Sequence, residues 1–237
     1  MRRGPRKLRI LADAVGLTAF GGVALLHAFV QRLGLQGELS RRIRFHQRNN
    51  AYSIREMLEA RQAQVEAALK AQPLMQAVLS NNLAEVKRLI AAGADVNEQS
   101  PVLGGPNDGQ TPLLVASFNG FTEIVRELVA AGANPRIIDY LLKATPAHKA
   151  AFSGHTGPLQ VLVDQGLVDL NAQGPYNGYT ALHDSVWHGH VKAMEVLLGA
   201  DVRTDIRGFD GNTALDLAVA LGYKAMAAAI QAKMQTA

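Results

Sequence analysis

Apolar positions along this chain fall into three patterns. From Ile10 to Val30 they run almost without a break, interrupted by Asp13, Thr18 and His27. As a helix, such a run of 21 residues reaches about 30 Å, enough for the hydrocarbon core of a bilayer. Further on the apolar positions thin to a narrow stripe, Ile54, Leu58, Val65 and Leu69. Arg55 with Glu59 and Glu66 with Lys70 stand four apart, as paired charges on a helix do. Ser53 and Glu56 have the spacing of a capping box. This predicts a helix over 53–71 whose stripe covers the first face of the segments C-terminal to it. Beyond residue 71, short amphipathic segments such as Ile124-Val125-Arg126-Glu127-Leu128-Val129 recur between turn residues.

That recurrence has a period. Thr111-Pro112-Leu113-Leu114, Thr145-Pro146-Ala147-His148, Thr180-Ala181-Leu182-His183 and Thr213-Ala214-Leu215-Asp216 are spaced by 34, 35 and 33 residues. Small residues and then a Gly follow each tetrad, at Gly120, Gly154, Gly189 and Gly222; an apolar helix comes next, closed in the first by Gly132-Ala133. A fixed period of this length marks stacked repeats. The pattern resembles the ankyrin repeat family from Gln72 to about Gln231. An earlier, degenerate copy begins at Gln72-Pro73-Leu74-Met75, with Asn81 in place of the central Gly; Asn is the next best residue at a left-handed position.

The resemblance implies an all-α ankyrin-repeat solenoid of about five helix-pair repeats over residues 72–237, preceded by a basic linker and capping helix over 31–71. Each consensus residue has a physical task. Thr caps the first helix and Pro suits its first turn. The central Gly lets the chain reverse, and the terminal Gly stops the second helix. No repeat buries its apolar face alone, so neighbours stack. The departures are specific. The first loop, Glu98 to Gln110, is about six residues longer than the family pattern. The loop Ile137 to Lys143 lacks the turn Gly. The fourth repeat is two residues short at Gly199-Ala200-Asp201, and the last, Tyr223 to Met234, reads as a terminal cap.

Charge divides the chain of 237 residues unevenly. Residues 1–70 hold 13 Lys and Arg against 5 Asp and Glu, whereas residues 71–237 hold 11 against 15. The repeats are therefore mildly acidic, which argues against a nucleic-acid partner there. With no cysteine, thiolate zinc sites, iron–sulfur clusters and cysteine catalysis are excluded. Gly104 to Thr111 has the glycine spacing of a phosphate loop, but Gln110 stands where the Lys belongs and Thr111 is already a helix cap. His183, His188 and His190 invite a metal, yet no carboxylate stands at a ligand spacing, and repeat histidines have structural roles in hydrogen-bonding neighbouring backbone. No enzyme, cofactor or small-molecule substrate is expected.

Five Lys and Arg within the first nine residues precede the long apolar run, the order of a signal anchor. The sequence expectation is an N-terminal apolar helix over residues 1–30 that holds the chain to a membrane, uncleaved, with the repeats periplasmic. A soluble cytoplasmic or organellar protein is the alternative, with the run as a buried helix or a transit peptide.

One line of residues exceeds what the fold requires. At the position that faces the concave groove in the ankyrin family stand Leu79, Phe118, Phe152, Trp187 and Ala220 in successive repeats. Aromatic residues dominate interface hot spots. Apolar loop tips form a second row: Val102-Leu103, Tyr140-Leu141-Leu142, Tyr176 and Phe209. The expected function is non-enzymatic binding of a protein partner, of unknown identity, through groove and tips. The alternative is an accessory or assembly subunit of a membrane complex, held by its N-terminal helix.

Overall fold

A computed structural model describes residues 44–47, 50–102, 107–139, 143–166 and 168–236; the side chains of 44–58, 61, 65, 69 and 236 lie outside the description. The chain divides into two units, Met1–Ala63 with Leu103–Gly105, and Gln64–Val102 with Pro106–Ala237.

In the first unit two strands, β1 (Arg44–Gln47) and β2 (Asn50–Ser53), pair antiparallel, with Phe45 opposite Tyr52. The pair lies outside the repeats, which are helical throughout, as expected. Four-residue strands are too short for their alternation to stand out. The apolar run 10–30, and with it the anchor expectation, lies outside the described residues. Among the described residues no helix is long and apolar enough to cross a membrane. Helix α1 (Ile54–Ala71) forms where the stripe predicts; the stripe's side chains, and so its covering role, are outside the description.

The second unit is a stack of five helix pairs. The first (A) helices are α2 (Pro73–Leu79), α4 (Pro112–Asn119), α6 (Pro146–Ser153), α8 (Ala181–Trp187) and α10 (Ala214–Ala220). The second (B) helices are α3 (Leu83–Ala91), α5 (Thr122–Ala130), α7 (Thr156–Asp164), α9 (Val191–Leu198) and α11 (Lys224–Thr236). Each A helix packs against the A helix of the neighbouring repeat, and each B helix against the neighbouring B helix.

An inner A helix is therefore covered on both flanks. Pro112 to Ser117 and Pro146 to Ala151 are buried in unbroken runs. Ala116, Ala150, Ala151, Ala181, Ser185 and Ala218 are wholly enclosed, and small side chains there let the helices close up. B helices are amphipathic instead, burying Ile124, Val125, Leu128 and Val129 on one face of α5.

Start and stop signals act as the residue types require. The hydroxyls of Thr111, Thr145 and Thr213 accept backbone N–H bonds from Leu114, His148 and Asp216. Gln72 makes no such bond; its amide donates instead to the Gln99 carbonyl at 3.0 Å. Asn81 takes φ 51°, so it does occupy the left-handed position of the missing Gly. Gly120 and Gly154, at φ 80° and 74°, also face histidines of the next repeat: a Cβ would lie 2.7 Å from the His155 or His190 ring. Glycine is thus required there for both turn and stacking. In the loop without a turn Gly, Lys143 takes φ 53°. In the shortened fourth repeat, Gly199 stays right-handed at φ −70°.

Candidate functional site

The candidate surface rests on the loops and on one exposed position per A helix. The loops close as hairpins. Ser100 N–H donates to Gln110 O, Asp139 N–H to Ala144 O, Gly174 N–H to Tyr179 O, and Gly208 N–H to Asn212 O. Neighbouring loops are tied by Gln173 Nε2 to Arg207 O at 2.9 Å and Phe209 N–H to Asn177 O at 2.8 Å.

Histidine at the fourth position of the tetrad joins repeats from inside. His148 Nδ1 lies 2.7 Å from the Thr145 hydroxyl while its Nε2 reaches Tyr179 O at 3.1 Å. His183 repeats the arrangement with Thr180 at 2.9 Å and Asn212 O at 3.3 Å. Burial pushes both imidazoles below the usual histidine range, against the pull of those backbone carbonyls. His190 Nε2 reaches Phe152 O at 3.0 Å. These rings are structural ties between repeats. Among the described residues, no three His, Cys, Asp or Glu side chains are grouped to hold a metal.

On the A helices, Phe118, Phe152 and Trp187 are 41%, 41% and 50% exposed, large apolar surface in a position the core leaves uncovered. The Phe118 and Phe152 rings stack with centroids 6.4 Å apart, and Phe152 meets the edge of His188 at 4.2 Å. Trp187 lies 6.1 Å from the Tyr179 ring, which itself stacks on His183 at 5.1 Å. Leu79, at the start of the line, is half-buried and packed on the core, and Ala220 at its end is exposed.

Of the predicted loop tips, Tyr176 and Phe209 stand out from the surface, 68% exposed each, and Val102 is exposed as well. The Phe209 ring lies over Gly178, where a Cβ would meet it at 2.6 Å. Leu103, Tyr140, Leu141 and Leu142 are outside the described residues.

Three charged or ionisable groups were not anticipated from sequence. Lys149, buried, is paired with the buried Asp139 carboxylate, and its Nζ lies 5.3 Å from the centre of the Phe118 ring. Asp184 takes the matching position one repeat later, and burial pushes its carboxyl up to about 7. Tyr179 donates its hydroxyl to Asp210 at 2.8 Å; burial first, then that bond, push the phenol up to about 12. The available signal was the position itself. A charge one residue after the tetrad, where Val115 and Leu217 stand in other repeats, requires an explanation.

On the opposite, B-helix side a cleft of about 600 Å³ separates α7 from α9, lined by Thr156, Gln160, Asp164, Lys192, Glu195 and Gly199 among others. Its mixed charges match none of the predicted site residues.

The family model described as ankyrin repeats (3 copies) matches residues 47–139 and 134–207 of the chain. A tyrosine-protein kinase, HTK16, of Hydra vulgaris is 33% identical over 111 residues, 47% of this chain and 14% of that protein. A mitochondrial disaggregase of Bos taurus is 34% identical over 148 residues, 61% of this chain and 20% of the relative. The B-cell lymphoma 3 protein homolog of Mus musculus is 37% identical over 135 residues, 55% of this chain and 29% of the relative. The chain thus spans less than a third of the length of these curated relatives.

Proposed function

The chain belongs to the ankyrin repeat family, whose repeats generally mediate protein–protein interaction, and from that premise we propose that it is a non-enzymatic module binding a protein partner through its A-helix line and loop tips. The observation that carries this reading is the exposed row Phe118, Phe152 and Trp187, with rings in contact within and beside it. Large aromatic side chains left uncovered by a well-packed core gain most from burial by a partner. The scaffold adds a second advantage. Stacked helices hold the rings in place beforehand, so little ordering entropy opposes binding. Tyr176 and Phe209 extend the apolar surface to the loop tips.

The kinase and disaggregase names belong to proteins of which this chain covers a small part, and they assign no activity to it. Location is proposed on the sequence alone: a basic head and an apolar run place the chain at a membrane by its N-terminal segment.

A pull-down with three proteins tests the reading: the wild type, the variant Phe118→Ala/Phe152→Ala/Trp187→Ala, and a chain lacking residues 1–30. Trp187→Ala alone is expected to cost about 2 kcal/mol of partner binding, and the triple variant to lose its partners. If the triple variant keeps every partner while the shortened chain loses them, the groove reading is wrong and an accessory subunit of a membrane complex replaces it.

A further inference from the structure

The two halves of the aromatic line differ in charge, and the difference specifies a partner. On α6, Lys149 and Phe152 stand three apart and so share a face. The Lys149 ammonium is already neutralised by Asp139 and lies over the Phe118 ring. That half of the line presents apolar rings and a cation already satisfied. On α8, Asp184 and Trp187 have the same spacing. Among the described residues, no ion pair or side-chain hydrogen bond reaches the Asp184 carboxylate, which lies within electrostatic reach of Tyr179. A second carboxylate, Asp210, accepts the hydrogen bond of the Tyr179 hydroxyl. Trp187 leaves half of its surface to solvent. The exposed π-face of Trp187 and a carboxylate without a counter-ion attract a cation by quadrupole and by charge together. The acidic balance of residues 71–237, 11 Lys and Arg against 15 Asp and Glu, adds a long-range field of the same sign.

We propose that the occupant of the line is an extended segment of a partner protein carrying an Arg or Lys side chain, seated on Trp187 against Asp184. An apolar side chain of the same segment lies on Phe118 and Phe152. Neighbouring helices pack 8–10 Å apart and an extended chain advances about 3.3 Å per residue, so the two side chains stand about three residues apart. The inference rests on the groove reading above and names the chemistry of its ligand. Burial holds the Asp184 carboxyl near neutrality in the free protein, and a bound cation returns it to the charged form.

A phage-displayed library of random peptides, panned on the full chain, tests this. Binders are sorted by whether Phe118→Ala/Phe152→Ala/Trp187→Ala abolishes their capture. Their affinities are then read on the fluorescence of Trp187, the only tryptophan. The expected result is that groove-dependent peptides are enriched in Arg or Lys. Replacing that residue by Gln, or Asp184→Asn in the protein, then weakens them on the order of tenfold. Groove-dependent peptides without basic enrichment, or indifferent to Asp184→Asn, overturn the cation site and leave the interaction module standing. A library that yields no groove-dependent binder overturns both. Asn keeps the size and hydrogen-bonding shape of the side chain, so far-UV circular dichroism is expected to be unchanged.

Discussion

Lys149 in the third repeat and Asp184 in the fourth occupy one address on successive A helices: just after the histidine and three residues before the groove aromatic. Their surroundings differ because of the loop that leads into each helix. Asp139 and Gly174 hold corresponding places in the two hairpin closures, donating their N–H groups to Ala144 O and Tyr179 O. In the third repeat that place supplies a carboxylate, and the lysine is neutralised inside the protein. In the fourth it supplies no side chain, and the aspartate is left to burial alone. The same backbone thus builds a structural ion pair in one repeat and leaves a carboxylate without an ion-pair partner among the described residues in the next. A repeat fold separates these roles readily, because each helix face is set by two or three side chains rather than by the whole core.

The largest effect is expected from breaking the satisfied half. Asp139→Ala leaves the Lys149 ammonium buried and without its partner carboxylate, at a cost of about 3 kcal/mol. Urea denaturation followed by circular dichroism reads the loss. An unchanged midpoint would mean that Lys149 reaches water once released, and that the two halves differ less than their burial states.

The unsatisfied half is expected to respond with the opposite sign. An unfolded chain ionises an aspartate near 3.8, whereas the folded protein holds the Asp184 proton to about 7. Between those values the folded state binds more protons, so this group's contribution falls as pH rises from about 4 to about 7 and is level above. Asp184→Asn removes the slope. The variant should match wild type near pH 4 and exceed it above pH 7 by on the order of 2 kcal/mol, solvent access having reduced the full linkage value. His148 and His183, whose lowered values make acid destabilising below the usual histidine range, are common to both proteins and cancel in the difference. A constant gap across the range would show that Asp184 ionises normally.

Trp187→Ala should cost about 2 kcal/mol of stability, from the apolar area of the half of the side chain that is not in water. A much larger loss in thermal unfolding would make the ring part of the core and remove it from the binding surface. The smallest effect is expected at Phe118→Leu, which keeps apolar bulk but removes the ring under Lys149. About 0.5 kcal/mol should go with the cation–π contact, and none of it should remain in an Asp139→Ala/Lys149→Met background.

Much of this was legible because repeat chemistry is local. Thr111 and Thr145 cap, Asn81 turns left-handed, and Gly120 and Gly154 reverse the chain; each needs only its near neighbours, so each could be read from residue type and spacing. The exposed aromatics were legible for the same reason: their register came from the repeat. The pairing of β1 and β2 was missed because four residues carry too little alternation to register as a strand.

By itself, then, the sequence determined the helices, their order and the line of Phe118, Phe152 and Trp187, because a period of about 34 residues fixes which face each side chain takes. Only the tertiary structure decided which charge finds a partner. Asp139 and Lys149 stand ten residues apart, on a loop and a helix, and nothing in that separation distinguishes them from Gly174 and Asp184. Water is excluded from the Asp139–Lys149 pair, and there an ion pair or its loss has large consequences.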